Sequence, residues 1–215
     1  MRGEPRCPRC MVVVRPPGPW SSAWSCTRHG EVAPLQPVAR PSAEVLAGVV
    51  AQAAVPVWLP WPLPTGWLVT GAAWAGDERT GARAVVTACS GPAPLGGVAD
   101  LLVVAEEPGV GLGAFLAGLT GTDPGWPDPG SAPQAKVHAA GHPTSLWCVS
   151  GVPDRAVYVG EAKADWLWVL LWPEAAGLLL AEEVSLTDLC ELDRPLDPPF
   201  GALCPRLPGS SLALQ

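Results

Sequence analysis

The pattern of apolar and polar positions predicts one helix followed by a series of strands. Four apolar residues are spaced as on one face of a helix: Val45, Leu46, Val49 and Val50. Ser42 precedes them and is a suitable N-cap, because its hydroxyl can accept a hydrogen bond from the first turn. We therefore expect a helix that runs from Ser42 to about Ala54.

Beyond residue 65, short apolar runs separated by glycine, proline and aspartate are typical of β-strands. The predicted strands span approximately residues 66–74, 83–89, 99–106, 134–139, 144–150, 155–161, 166–172 and 177–183. The run at 166–172 is apolar throughout, which suits a strand buried on both faces. Two further helices are predicted, one at Leu112–Leu119 and one that begins at Ser185. Because strands mostly follow strands, we expect an α+β fold with a mostly antiparallel sheet and few helices.

A long uncharged segment separates the first helix from the first strand. No charged residue occurs from Val45 to Gly76. A membrane helix needs about 20 apolar residues, but the segment is broken by prolines at 56, 60, 62 and 64, each of which removes a backbone donor. We expect an extended crossing here and no membrane span.

Composition and charge exclude several classes of protein. Hydrophobic residues make up 48% of the 215 residues and charged residues 15%, which excludes a disordered chain of low hydropathy and high charge. The formal net charge of -7 argues against a chain that is basic overall and coats nucleic acid. Residues 1–31 are the exception, with five arginines against two glutamates.

This charge asymmetry and the prolines at 34, 37 and 41 predict four segments. Residues 1–31 form a zinc ribbon, 32–41 a linker, and 42–192 the α+β domain. Residues 193–215 form a proline-rich, poorly ordered tail.

The N-terminal segment contains two pairs of metal-ligand residues. Cys7-Pro-Arg-Cys10 and Cys26-Thr-Arg-His29 are separated by fifteen residues, enough for a hairpin that brings the pairs together. We expect its strands at 12–15 and 22–25, with Trp24 shielding the site. Three thiolates and an imidazole occupy all four tetrahedral positions of zinc. The spacing therefore predicts a structural Zn²⁺ site with the ligands Cys7, Cys10, Cys26 and His29.

The chain contains seven cysteines, an odd number. The basic N-terminus is not followed by an apolar stretch, so we expect no secretory signal peptide. Thiols stay reduced in an unexported protein, which favours metal ligation over disulfides. These observations predict a cytoplasmic location.

Weaker signals leave other chemistry open. Gly109-Val-Gly-Leu-Gly113 follows an apolar strand and precedes a short helix, so its amides can cradle a phosphate, although Glu106-Glu107 before it would repel an anion. His138 and His142, with Cys148, form either a second metal site or a thiol–imidazole pair, or are ordinary surface histidines. Cys89 is more readily explained as a buried residue than as a nucleophile.

The tryptophans also allow two interpretations. Large aromatic residues are usually core or interface residues, but they can line an aromatic ligand groove. Trp58, Trp61 and Trp126 lie in proline-rich segments and can form an exposed apolar patch for a partner.

Several segments together resemble a family of uncharacterised actinobacterial proteins with an N-terminal zinc ribbon. They are residues 1–10, 24–30, 55–64, 88–92 and 109–113, and the resemblance extends to about Pro205. It implies a cytoplasmic α+β protein of unknown function from a high-GC Gram-positive bacterium, and it carries over the four zinc ligands but no catalytic residues. Some members carry the label phosphotransacetylase.

The sequence thus favours a non-enzymatic module that binds or regulates a protein partner. One alternative is an enzyme acting on an acyl or phosphorylated small molecule, with phosphate held at Gly109–Gly113 and His138 or His142 as acid and base. Another is a nucleic-acid-binding ribbon that uses the arginines of residues 1–31.

Overall fold

The computed structural model describes residues 3–19, 21–125 and 131–208. Its main feature is a nine-stranded sheet; a separate two-stranded ribbon lies near the N-terminus. The elements in chain order are β1 (Ser25–Cys26), β2 (Gly30–Glu31), α1 (Ala43–Gln52), β3 (Trp58–Pro60), β4 (Leu68–Asp77), β5 (Gly81–Pro92), β6 (Val98–Glu106), α2 (Leu112–Leu116), β7 (Ala135–Ala139), β8 (His142–Cys148), β9 (Ala156–Ala162), β10 (Asp165–Trp172), β11 (Val184–Asp188) and the 3₁₀ helices Glu174–Ala181 and Leu189–Glu191.

The strand order in the large sheet is β3-β11-β7-β8-β9-β10-β6-β5-β4. All neighbours are antiparallel except β11 and β7, which are parallel. The predicted fold class, a mostly antiparallel sheet with few helices, is confirmed.

Strand β10 lies between β9 and β6 and is buried on both faces, as its apolar run predicts. Leu167, Val169 and Leu171 belong to the core on one face of the sheet. Trp168 and Leu170 belong to the core on the other. The sheet curls toward the first of these faces, so that β3 lies near β5 and Thr87 Oγ1 donates a hydrogen bond of 2.6 Å to the carbonyl of Trp58.

Helix α1 forms where its apolar spacing predicts it. The Ser42 hydroxyl accepts a hydrogen bond of 3.3 Å from the amide of Val45. Leu46 and Val49 are buried in the core on the face toward which the sheet curls, here called the inner-face core. The serine cap and the apolar face therefore act together to fix the start and the orientation of the helix.

Two expectations about the C-terminal third are wrong. The segment expected to be a strand at 177–183 is mainly the 3₁₀ helix Glu174–Ala181. The helix expected from Ser185 is instead strand β11, which pairs with β3 and β7. Asp188, at the end of β11, caps the short 3₁₀ turn Leu189–Glu191, because its side chain accepts a hydrogen bond from Cys190 N.

Segments outside the predicted α+β domain cover the free edge of β4. Leu35 pairs with Arg6 of the N-terminal segment and with Ala75 of β4. Phe200 pairs with Val69, and Leu207 is fully buried. Of the predicted tail, residues 193–208 are described and 209–215 lie outside the described residues. The boundaries of the four predicted segments stay a prediction.

Among residues 3–19, 21–125 and 131–208, no helix is both long enough and apolar enough to cross a membrane.

Candidate metal centre

The four predicted ligands lie together at the N-terminus. Cys7, Cys10, Cys26 and His29 each offer one donor atom, and these atoms all lie within 4.8 Å of one another. The Cys7 Sγ to His29 Nδ1 distance is 3.5 Å, the Cys10 Sγ to Cys26 Sγ distance is 3.7 Å, and Cys26 Sγ lies 3.8 Å from His29 Nδ1. Together they can bind a metal ion.

Three of the six donor separations match those around a tetrahedral ion. With Zn–S bonds of about 2.3 Å and Zn–N bonds of about 2.0 Å, the edges of a tetrahedron are about 3.8 Å between sulfurs and about 3.5 Å between sulfur and nitrogen. The three donor pairs above span 3.5 to 3.8 Å. When bound, such an ion would cross-link the two ends of the hairpin.

Tight turns position both ligand pairs. After Cys7 the chain folds back, and the amides of Cys10 and Met11 both donate to the Cys7 carbonyl. At the second pair, the Arg28 amide donates to Cys26 Sγ at 3.4 Å. Gly30 follows with a φ of +68°, a conformation that glycine adopts without strain. The hairpin expected between 12–15 and 22–25 is present as the pair Arg15–Ser25, and the regular ladder is β1 with β2.

A small apolar cluster surrounds the ligands. Cys7 and Cys26 are buried with Val14 and Val32, and Trp24 packs against this cluster, as predicted from its position. His29 is exposed. A module this small has little core of its own, so a metal bound to these ligands would supply a cross-link that its packing lacks.

The two buried thiols differ in acidity. Burial raises the pKa of Cys7 to about 12, with a smaller opposing contribution from a backbone hydrogen bond of Arg9. Burial also acts to raise the pKa of Cys26, but hydrogen bonds from the Arg28 and His29 backbones and from the His29 side chain lower it to about 6. Since metals bind the thiolate, loading the site releases protons.

Arg9, within the first ligand pair, reaches the glycine-rich turn more than ninety residues later. Its Nε donates to the carbonyl of Val110 at 3.0 Å, and Nη2 donates to the carbonyl of Gly109. Gly111 has a φ of +86°, and a Cβ there would lie 3.0 Å from Arg9 Cγ. The N-terminal hairpin thus packs against the glycine-rich turn through Arg9.

The amides that a phosphate would need at this turn are already hydrogen-bonded. Glu106 is fully buried, and its carboxylate accepts hydrogen bonds from Leu112 N at 2.7 Å and Gly113 N at 3.1 Å. The amide of Gly109 donates to Asp123 Oδ1 at 2.9 Å. The chain's own carboxylates therefore already accept hydrogen bonds from the amides at which a phosphate would have to bind.

Burial raises the pKa of the Glu106 carboxyl to about 7. The hydrogen bonds from Gly113 and Leu112 and the nearby Trp168 indole lower it, and the charge of Asp123 raises it. The sequence showed that two acidic residues precede the turn. It did not show that one of them, Glu106, is buried and accepts hydrogen bonds from the amides of the turn.

Comparison with known families shows to which family the chain belongs. Residues 1–207 match a family described as a family of unknown function (DUF6758). The chain belongs to this family. No curated protein and no solved structure matches it. The family assignment covers both the metal ligands and the glycine-rich turn of this member.

The structure does not bring His138, His142 and Cys148 together, the cluster that the sequence left open as an alternative. His142 and Cys148 lie at opposite ends of β8, six residues or about 20 Å apart along a strand. His138 Nδ1 lies instead 3.1 Å from Glu183 Oε1. In the described part of the chain, the N-terminal ligands are the one cluster of at least three metal-binding side chains. The alternatives of a second metal site or a thiol–imidazole pair at these residues therefore do not fit the structure, whereas ordinary histidines do.

Burial agrees with the expectation for Cys89 and disagrees with the exposed patch considered for Trp58. Cys89 is 1% exposed, and burial raises its pKa to about 12, as suits a structural residue. Trp58 is also buried, so it cannot contribute to an exposed patch. Trp61 is partly buried against the inner-face core, and Trp126 lies outside the described residues.

The arginines of this family member's ribbon are partly used within the protein. Arg6 donates to the carbonyl of Met11 at 2.8 Å, and Arg9 donates to the turn. Among the described arginines of residues 1–31, Arg15 and Arg28 are thus the two that are exposed. Two exposed cations can make few phosphate contacts.

Proposed function

We propose that this protein is a non-enzymatic, cytoplasmic module that binds or regulates a protein partner, with a structural zinc ribbon in residues 1–31. The observation that carries the zinc assignment is the donor geometry: three sulfurs and one nitrogen lie within 4.8 Å of one another, and three of their six separations are 3.5 to 3.8 Å. Four protein donors leave no open position for water or substrate, which is typical of structural and not catalytic zinc.

The docking of the ribbon supports a role in assembly. Arg9 lies between two ligands and donates to carbonyls of the glycine-rich turn. A metal bound by Cys7 and Cys10 would fix the turn that carries Arg9, and so the position of the hairpin against the glycine-rich turn.

The same contacts weigh against the enzymatic alternative. Phosphate binding at Gly109–Gly113 requires free amides, whereas Leu112 and Gly113 donate to Glu106. On the sheet, β10 and β9 separate β6, which leads into the turn, from β8, which carries His142. An acid–base histidine is therefore not adjacent to this turn.

The first test is zinc stoichiometry by native mass spectrometry of the full chain. We expect one zinc per chain, lost in the variant Cys7→Ser, Cys10→Ser. Cys148→Ser and Cys190→Ser are matched controls, because both thiols are exposed and lie outside the cluster. They should retain the metal. A chain without zinc, or zinc that survives in the double variant, contradicts the ribbon.

The second test addresses the partner. Affinity purification from native lysate after crosslinking should recover a partner with the natural chain. The double cysteine variant, purified in parallel, should recover none. Recovery of no partner with either protein contradicts the binding function. Turnover of a phosphorylated or acyl substrate would favour the enzymatic alternative.

A further inference from the structure

A cavity of about 160 Å³ lies inside the curl of the nine-stranded sheet. Its walls include apolar side chains from strands that are distant in sequence: Leu101, Val103, Val137, Val169, Leu171 and Leu186. Each of these residues is at most 7% exposed, so the cavity is part of the core. Protein cores contain few voids larger than a water molecule. An apolar cavity of about 150 Å³ is large enough to bind benzene.

The cavity has rigid walls. Trp67 lines it and is 3% exposed. The Trp67 ring lies against Gly91, where a Cβ would overlap the indole. Pro60, Pro62 and Pro64 form another part of the lining, and proline has a fixed φ. These packed and conformationally restricted groups are consistent with a cavity that is formed before a ligand binds.

The charges at the cavity have one sign. Glu182 and Glu183 are the charged residues of its lining, and both are exposed. The proline-rich wall adds no charge, since residues 45–76 contain none. His138 approaches Glu183, with Nδ1 at 3.1 Å from Oε1. An apolar interior with carboxylates at its exposed part is complementary to a molecule with an apolar body and a cationic group.

We propose that this cavity binds a small amphiphilic cation, with an apolar body about the size of a benzene ring and a protonated amine. The body fills the space between Val103, Val137 and Leu171, and the amine lies at Glu182 and Glu183. This ligand site is separate from the metal centre and does not depend on the protein-binding function proposed above.

The test uses the full-length, zinc-loaded protein and three probes of one shape: benzylamine, benzyl alcohol and phenylacetate. Thermal unfolding and calorimetric titration report binding. We expect benzylamine to raise Tm and to bind more tightly than benzyl alcohol, and phenylacetate not to bind. Burial of the ring should give a negative heat-capacity change.

Variants separate the two parts of the site. Val103→Phe fills the cavity and should abolish binding of benzylamine and benzyl alcohol. The pair Glu182→Gln, Glu183→Gln should weaken benzylamine about fivefold and leave benzyl alcohol unchanged. Glu161→Gln is the control, because Glu161 is exposed on β9 and does not line the cavity.

Absence of binding by every probe at millimolar concentration would overturn the proposal. So would equal affinity for all three probes, or binding that neither variant changes. If Val103→Phe does not fold, the comparison of benzylamine with benzyl alcohol on the double glutamine variant decides, because both of its substitutions are on the surface.

Discussion

Arg9 Nε lies 3.0 Å from the carbonyl oxygen of Val110, although the two residues are about a hundred positions apart in the chain. Arg9 stands between the metal ligands Cys7 and Cys10, and Val110 is buried in the glycine-rich turn. This contact joins the metal-binding hairpin to the end of β6. Gly111 has no Cβ, which would lie 3.0 Å from Arg9 Cγ, and it therefore leaves room for the arginine side chain.

Replacement of Arg9 tests this connection. Arg9→Ala removes two hydrogen bonds from a charged donor and should lower the free energy of unfolding by about 1–3 kcal/mol, measured by urea denaturation of the zinc-loaded protein. Arg28→Ala is the matched control, since Arg28 is an exposed arginine of the same hairpin, and should change stability by less than about 0.5 kcal/mol. Equal effects of the two variants would show that the contact with Val110 contributes nothing.

Glu106 gives the protein a specific pH dependence. Its pKa in the folded protein is about 7 and its ordinary value is 4.5. The folded state therefore holds this proton more tightly than the unfolded state, and stability falls as pH rises from about 4.5 to 7. The loss is on the order of 3 kcal/mol at most.

Glu106→Gln cannot lose this proton, so its stability should fall less than that of the natural protein between pH 5 and pH 8. Urea midpoints across this range measure the difference. Asp165, whose burial raises its pKa to about 6, has the same sign and remains in both proteins. Glu161→Gln, at an exposed position, should follow the natural curve. Parallel curves for Glu106→Gln and the natural protein would refute the assignment.

Two glycines should respond in opposite directions to alanine. A Cβ at Gly113 would overlap the Trp168 indole, so Gly113→Ala should destabilise the protein by about 1–3 kcal/mol. Gly48 lies within α1, is exposed, and has no atom within 4 Å of the Cβ position. Gly48→Ala should therefore stabilise it by about 0.5–1 kcal/mol. Thermal unfolding of both variants provides the measurement, and destabilisation by Gly48→Ala would contradict this account of α1.

Asp188 links three separate segments. Its carboxylate accepts hydrogen bonds from Val57 N and Cys190 N, each at 3.0 Å, and lies 2.6 Å from Lys163 Nζ. Burial acts to raise its pKa, but Lys163 and the backbone donors lower it overall. Its contribution is therefore present above the ordinary pKa and lost as the pH falls through the folded-state value.

Asp188→Asn should cost about 1–3 kcal/mol at pH 7, measured by urea denaturation. The deficit should shrink as both proteins are acidified, because the natural side chain then loses its charge. Asp193→Asn, at an exposed position, serves as the control. A deficit that is constant with pH would mean that the charge of Asp188 does not stabilise the fold.

Local signals predicted the elements whose cause is local. The Ser42 cap and the apolar spacing gave α1, and the unbroken apolar run gave β10 with both faces buried. The Cys-x-x-Cys and Cys-x-x-His turns gave the metal cluster, because each pair is formed within a few residues. In these cases the sequence pattern and the tertiary environment agree.

The errors occur where distant segments decide the structure. Leu178–Leu180 suits a strand or a helix equally, and an apolar run that short does not distinguish them. Ser185 begins a plausible helix cap, but pairing with β7 and β3 makes the segment a strand. The hydrogen bonds of Arg9 could not be predicted for the same reason, since nothing near residue 9 specifies a partner at 109–110.

The long separation between Arg9 and the glycine-rich turn also sets an order of events during synthesis. The last ligand, His29, is translated about 80 residues before the turn, or roughly 4–16 s earlier at ordinary elongation rates. The four candidate ligands could therefore bind a metal on the ribosome before the glycine-rich turn has been synthesised. The contact between Arg9 and Val110 can form only after β6 and the turn have been made, so the hairpin would mature well before it is attached to the sheet.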